Sequence, residues 1–220
     1  MSLLKGPSPA PRQFNYETLA WLSASWDSAQ YMINHMGLAS NLEQCDRLID
    51  FSLGHCSVEG LILEFGVFTG RSLVQIAKSV APRTAHGFDS FEGLPEDWTY
   101  FQKQGRFSLE GQIPDFGEPN IECHKGWFDQ TLAPFLAENS GPIRFLHIDS
   151  DLYSSAKTVL DALKDRIVPG TVILFDEYLN YPGWQQHEYK AWQEHVASQN
   201  LKYEYIGFAS MDYSVAVVVR

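Results

Sequence analysis

The sequence predicts an α/β fold, a doubly wound and mostly parallel sheet with helices on both faces. Three observations predict it. From Leu61 onward, strand-like apolar runs alternate with helical patterns, which implies parallel strands joined by crossover helices. Runs such as "LILEF" and "VILF" are apolar throughout, as strands covered on both faces must be. The last two runs, "KYEYIGF" and "SVAVVVR", are separated only by "ASMDY", too short for a crossover, so the sheet closes with an antiparallel pair. At 220 residues, 45% hydrophobic and 14% aromatic, the chain is long enough to bury one such core as a single domain over 16–220.

The elements follow in order. Residues 1–15 carry three prolines and are expected to form a flexible arm. Helical spacing then spans 16–36 and 41–54, the second with Leu42, Cys45, Leu48, Ile49 and Leu53 on one face; residues 16–56 are taken as N-terminal helices with a lid role. "LILEF" is the first strand of the alternation, and "RSLVQIAKSV" places Leu73, Val74, Ile76, Ala77 and Val80 on a helix face. "TAHGFD" is the second strand. Residues 90–120 hold Pro95, Pro114, Pro119 and four glycines, too irregular for a helix, and are read as an excursion or lid. Strand "IECHKG", helix 127–138, strand "IRFLHID", helix 154–166, strand "GTVILFD" and helix 184–198 come next. The helix from 154 shows Ala156, Val159, Leu160 and Leu163 at i, i+3, i+4 and i+7, and Pro169-Gly170 stops it.

Charge and cysteine content narrow the partners. A formal net charge of -11 argues against nucleic acid or an anionic membrane and toward a small molecule. Cys45, Cys56 and Cys123 form no CxxC pair, so buried free thiols are expected rather than disulfides or a zinc site. No apolar run approaches the ~20 residues that span a bilayer, and "MSLLKGPSPAPRQF" has too short an apolar stretch for a signal peptide; a cytoplasmic location is expected. A homo-oligomer is compatible with the sequence, which does not fix the oligomeric state.

An α/β unit ending in an antiparallel hairpin resembles the class I S-adenosylmethionine-dependent methyltransferases. That resemblance implies seven strands in the order 3-2-1-4-5-7-6, counted from Leu61, with strand 7 reversed and a ligand crevice between strands 1 and 4. "EFGVFTGRS" leaves the first strand and enters a helix. Gly66 and Gly70 allow a tight turn, Glu64 offers an acceptor for an ammonium group, and Val67, Phe68, Thr69 and Ser72 complete the expected cofactor loop. Phe68 stands where the commonest methyltransferase loop has its middle glycine. Asp89, followed by Ser90, ends the second strand, where an acid receives ribose hydroxyls; capping the next turn is the alternative role. Trp127 suits an adenine face or core packing equally.

Strands 4 and 5 are neighbours in that order, so "HIDSDLY" and "LFDEY" bring Asp149 and the Asp176-Glu177 pair to within a strand spacing of about 5 Å, with Asp151 close behind. Each ionised carboxylate raises the pKa of the next unless a cation relieves the repulsion. All-oxygen ligands favour Mg²⁺, with Mn²⁺ or Ca²⁺ as alternatives. The competing reading is that individual acids cap helices, as Asp151 would for a helix beginning near Ser154.

"FDSFEGLP", "HIDSDLYSSAKTVLDAL" and "PGTVILFDEYLNYPGW" resemble the macrocin O-methyltransferase family, bacterial enzymes that methylate sugar hydroxyls on natural products. The resemblance covers about 60–210. It implies metal ligation by Asp149, Asp176 and Glu177, with Asp149 also beside the cofactor, and Asp151 as the base. Many members have Asp-Asp where this chain has Asp176-Glu177. Coordination of a hydroxyl to Mg²⁺ lowers its pKa and fixes it in line with the sulfonium methyl. Trp98, Tyr100, Phe101, Phe107, Tyr153, Tyr181 and Trp184 are candidates for an acceptor pocket. His147 reads as a core histidine, and His124 and His187 have no assigned role.

Three rival readings remain at the level of sequence. "DSD" also matches the DxD of metal-dependent glycosyltransferases. "YSSAK" matches the YxxxK of short-chain dehydrogenases, without their glycine-rich loop. A cofactor-binding module without catalysis leaves the acidic cluster unexplained.

Overall fold

The computed structural model describes residues 15–100 and 102–220. Of the arm expected over 1–15 only Asn15 falls among them, and Phe101 lies outside them. Asn15 caps the first helix, its Oδ1 accepting from the N–H groups of Glu17 and Thr18 at 3.0 and 3.4 Å. The elements are α1 (Tyr16–His35), β1 (Ser40–Asn41), α2 (Cys45–Gly54), β2 (Leu61–Phe65), α3 (Arg71–Val80), β3 (Ala85–Asp89), β4 (Ile121–Lys125), α4 (Phe128–Glu138) and β5 (Ile143–Ile148). They continue with α5 (Tyr153–Leu163), β6 (Val172–Phe175), α6 (Glu188–Gln199), β7 (Tyr203–Phe208) and β8 (Val215–Val219).

The described strands form one sheet in the order β1-β7-β8-β6-β5-β2-β3-β4. All neighbours are parallel except β8, which runs antiparallel to both β6 and β7. Counted from Leu61, the seven expected strands stand in the expected order, with the last reversed. The addition is β1, a two-residue edge strand that pairs Ser40 with Gly207. It replaces the start of the helix expected over 41–54. Asn41 Oδ1 accepts from the Glu43 N–H at 2.9 Å and Glu43 adopts φ +67°, a local turn that delays the helix to Cys45.

Alternation along each strand divides the core into two layers. Leu63, Phe65, Ile173, Phe175, Val215 and Val217 meet α1, α4, α5 and α6. Ile62, Val172, Leu174, Ala216 and Val218 meet α2 and α3. Each such fully buried Leu, Ile, Val or Phe contributes roughly 1.5–3 kcal/mol against an exposed reference, so both faces must be covered for the sheet to persist. No described helix is long and apolar enough to cross a membrane. The three cysteines are free thiols, half-buried rather than buried as the composition suggested.

Candidate active site

Strand register builds the site. Phe175, Ile148, Phe65 and Phe88 pair across four neighbouring strands. The next residue in each, Asp176, Asp149, Gly66 or Asp89, therefore lies along the C-terminal edge of the sheet, where parallel α/β folds bind ligands. Backbone bonds continue that row: Asp176 N–H donates to Ile148 O, Asp149 N–H to Phe65 O and Gly66 N–H to Phe88 O, at 2.9, 2.9 and 3.0 Å.

Gly66 is required at the crossing. Its φ is +91°, and a Cβ there would stand 1.6 Å from the Asp149 carbonyl oxygen. Phe68, in the place of a family glycine, also holds a left-handed φ of +48° and is 40% exposed. Asp89 stitches this loop together. Its Oδ2 accepts from the N–H groups of Val67 and Phe68, both at 2.8 Å, and its Oδ1 from the Phe91 N–H at 2.7 Å. The turn-capping role weighed for Asp89 is thus present, and it leaves lone pairs on both oxygens for hydroxyl donors.

The carboxylates of Asp149, Asp176 and Glu177 each offer an oxygen within 4.8 Å of the others. Asp176 Oδ1 accepts from Ser214 Oγ at 2.8 Å and from Cys45 Sγ at 2.9 Å. Glu177 Oε2 is buried without a hydrogen-bond partner. Asp151 lies beside them, 7% exposed, at φ +62°, a backbone region that costs a non-glycine residue about 1–3 kcal/mol and that gathers at functional sites. The helix cap weighed as the alternative role for Asp151 is absent: Leu152 occupies the N-cap of α5 and offers no side-chain bond.

Two buried residues that the sequence did not single out as functional organise these acids. Glu188, fully buried at the start of α6, accepts from the Ser150 N–H through Oε1 at 3.2 Å and from the Glu177 N–H through Oε2 at 3.1 Å. It ties the turn after β5 to the turn after β6. His147 sits one strand pitch below, its Nδ1 bonded to Glu64 Oε2 at 3.0 Å and its Nε2 3.9 Å from Asp176 Oδ1. The sequence signal for Glu188 was only an acid in a first helical turn, which ordinarily answers the helix dipole.

Burial and mutual repulsion shape the protonation states. Burial, then the charge of Asp176, raises Asp149 well above the usual carboxylate range. The same two causes push Asp151 up to about 7. Burial and the charges of Asp151, Asp176 and Asp149 raise Glu177. Burial pushes Glu188 up to about 8. Asp176 moves the other way: burial opposes its ionisation, but His147, Cys45 and Ser214 outweigh it and lower the pKa. Burial disfavours the His147 cation, yet the neighbouring Asp176, Cys45 and Glu64 hold its pKa well above the ordinary value.

Two clefts meet at the acids. One of about 590 Å³ is lined by Gly66, Phe68, Asp89, Ser90, Trp127 and Asp151 along with the three metal candidates. The other, of about 660 Å³, is lined by Val67, Phe68, Thr69, Arg71 and Ser72 and by the same three acids. Glu64 lines neither. It is 1% exposed, with its carboxylate engaged by Ser72 Oγ at 3.1 Å and by His147 Nδ1 at 3.0 Å. Gly70 also lines neither cleft and is the N-cap of α3, at φ +83°. Among the aromatic candidates Phe107 lines the first cleft, Tyr181 and Trp184 are core residues, and the exposed Tyr100 hydrogen-bonds Glu17.

The "YSSAK" pair is spent elsewhere. Tyr153 donates to Glu194 at 2.7 Å and Lys157 pairs with Asp161 at 2.5 Å, which removes the dehydrogenase reading. Residues 63–178, more than half of the chain, match the family model described as a methyltransferase domain. The chain belongs to that family. Relatives agree with the assignment. The chain is 26% identical over 184 residues to an 8-demethyl-8-(2,3-dimethoxy-alpha-L-rhamnosyl)-tetracenomycin-C 4'-O-methyltransferase of Streptomyces olivaceus, covering 71% of this chain and 66% of that protein. The match therefore spans just under two thirds of the relative's length. The fold is that of the calicheamicin methyltransferase CalS11, at TM-score 0.65 and 21% identity over 94% of each chain. The O-methyltransferase NovP is also similar, at TM-score 0.62 and 18% identity over 92% of this chain and 97% of its own.

Proposed function

We propose that this domain is an S-adenosylmethionine-dependent, divalent-cation-dependent O-methyltransferase acting on a hydroxyl of a small glycosylated molecule. One observation carries the reading: three carboxylates converge at the mouth of two clefts, with Glu177 Oε2 buried and unpartnered. An oxygen-only donor set with a hard, unsatisfied carboxylate fits Mg²⁺, with Mn²⁺ or Ca²⁺ as substitutes. Asp149, Asp176 and Glu177 would hold the ion. When bound, it supplies Lewis-acid polarisation of the acceptor oxygen.

S-adenosylmethionine supplies the methyl group. In this reading Asp89 and Ser90 would hold its ribose and Trp127 its adenine in the first cleft, and Thr69 and Ser72 in the second cleft would hold its amino-acid end. Arg71, at the N-terminus of α3, adds positive charge where a carboxylate would sit. Asp151 takes the proton from the acceptor hydroxyl, and a pKa near neutrality suits a general base at physiological pH. Irregular residues 90–120 contribute Gly93, Leu94, Pro95 and Phe107 to the first cleft and serve as its lid, excluding water from the transfer.

The macrocin-type resemblance and the deoxysugar named in the Streptomyces olivaceus relative favour a sugar hydroxyl as acceptor. The test is methyl transfer from radiolabelled S-adenosylmethionine to a panel of deoxysugar nucleotides and glycosylated polyketides. Label is expected on a sugar hydroxyl only when divalent cation is present. Transfer that persists in excess chelator, or absence of S-adenosylmethionine binding by calorimetry, overturns the reading.

A further inference from the structure

We propose a second cation site, for a thiophilic divalent ion such as Zn²⁺, formed by Cys45 Sγ, His147 Nε2 and the Asp176 carboxylate. These ligand atoms lie within 4.8 Å of one another, and all three residues line the 660 Å³ cleft. Cys45 Sγ is 2.9 Å and His147 Nε2 is 3.9 Å from the same oxygen, Asp176 Oδ1. A tetrahedral ion with bonds of about 2.0–2.3 Å sets its ligand atoms roughly 3.3–3.6 Å apart, so small side-chain rotations close the site.

The imidazole carries the second, independent observation. His147 is 1% exposed, and its Nε2 has no hydrogen-bond partner although its Nδ1 is bonded to Glu64 at 3.0 Å. A carboxylate on one ring nitrogen and no partner on the other is the arrangement that orients a metal-binding histidine, whose Nε2 lone pair is freed when the ion displaces its proton. A thiol beside it selects against Mg²⁺ and for Zn²⁺ or Co²⁺. Binding displaces two protons to water, one from the Cys45 thiol as the sulfur–metal bond forms and one from His147 Nε2 as the nitrogen–metal bond forms. The fourth position faces the cleft and is left for water.

Asp176 belongs to both sites. Occupation of the thiophilic site draws that carboxylate away from Asp149 and Glu177, so Zn²⁺ inhibits where Mg²⁺ activates; this consequence alone rests on the proposed methyl transfer.

The test begins without cofactor or acceptor. Titration of the full chain with Co²⁺ should give a thiolate-to-cobalt charge-transfer band that saturates at one ion per chain and is displaced by Zn²⁺. The band should vanish in Cys45→Ser, which retains a donor to Asp176, and persist in Cys56→Ser and Cys123→Ser. The other histidine cluster, His86, Glu122 and His124, holds no sulfur and cannot produce it. A second measurement needs no variant: Zn²⁺ should protect Cys45 of the wild-type chain from alkylation at least ten-fold, read by mass spectrometry. No band, a band that survives Cys45→Ser, or unprotected Cys45 overturns the site. Where the band forms, half-inhibition of methyl transfer should need at least ten-fold more Zn²⁺ in Cys45→Ser than in wild type. An unchanged value overturns the competition for Asp176, whereas a chain with the band and no transferase activity overturns the proposed reaction and leaves the site standing.

Discussion

The Glu177 N–H donates to Glu188 Oε2 at 3.1 Å, so one buried acid grips the backbone of another. Through its second oxygen Glu188 grips Ser150 as well, and this makes it the clamp between the two acid-bearing turns. Glu188→Gln places an amide donor against one of two N–H donors and breaks half of the clamp. We expect the chain to fold with Mg²⁺ affinity reduced roughly 10–100-fold, the usual effect of removing an outer support of a metal site. Isothermal titration calorimetry checks it, and an affinity equal to wild type would remove Glu188 from the account.

Gly66→Ala should be among the most damaging small substitutions. It adds a methyl group 1.6 Å from the Asp149 carbonyl oxygen in a left-handed backbone. Strain and clash together should cost more than about 3 kcal/mol. Chemical denaturation measures this directly; a loss below about 1 kcal/mol would show that β2 and β5 separate easily at this crossing.

Most of the frame and the acids were legible in the sequence because each rests on local chemistry. Strand runs, the helix stop at Pro169-Gly170 and the carboxylates after "FLHI" and "VILF" all announce themselves within a few residues. What escaped depends on contacts between distant segments. Glu188 lies 38 residues from Ser150, and His147 reads as an ordinary core residue until Glu64 and Asp176 are found on either side. The partners of Glu64 escaped for the same reason: its place at the end of a strand suggests an ammonium acceptor and says nothing of Ser72 and His147, which hydrogen-bond its carboxylate. The late start of α2 hinged on the Asn41 side chain, which helical spacing of apolar residues does not register.

The acid cluster makes the metal-free chain sensitive to alkali. Burial and the Asp176 charge raise Asp151 to about 7, and burial raises Glu188 to about 8, against roughly 4 for unfolded carboxyls. The folded state therefore binds more protons than the unfolded one across this window. Stability from these groups is fully present below about pH 4 and is lost as pH rises through about 7 and 8. With chelator present, the melting temperature should fall between pH 5 and pH 8.5, and Mg²⁺ should restore it at the upper end far more than at the lower. Circular dichroism melts test this, and a metal-free melting temperature that climbs with pH would contradict it.

Asp151→Asn separates base from scaffold. The amide keeps the size of the side chain but cannot accept the acceptor's proton. Turnover should fall by about 10²–10⁴, while S-adenosylmethionine affinity stays close to wild type. A variant that retains most of its turnover would assign the proton transfer to another group.

The most direct measurement is an anomalous difference map from crystals grown with Mn²⁺. A single strong peak is expected, bonded by oxygens of Asp149, Asp176 and Glu177 at about 2.0–2.3 Å, with Glu177 Oε2 no longer unpartnered. Ordered Mn²⁺ elsewhere, or three carboxylates that remain without a cation at saturating concentration, would contradict it.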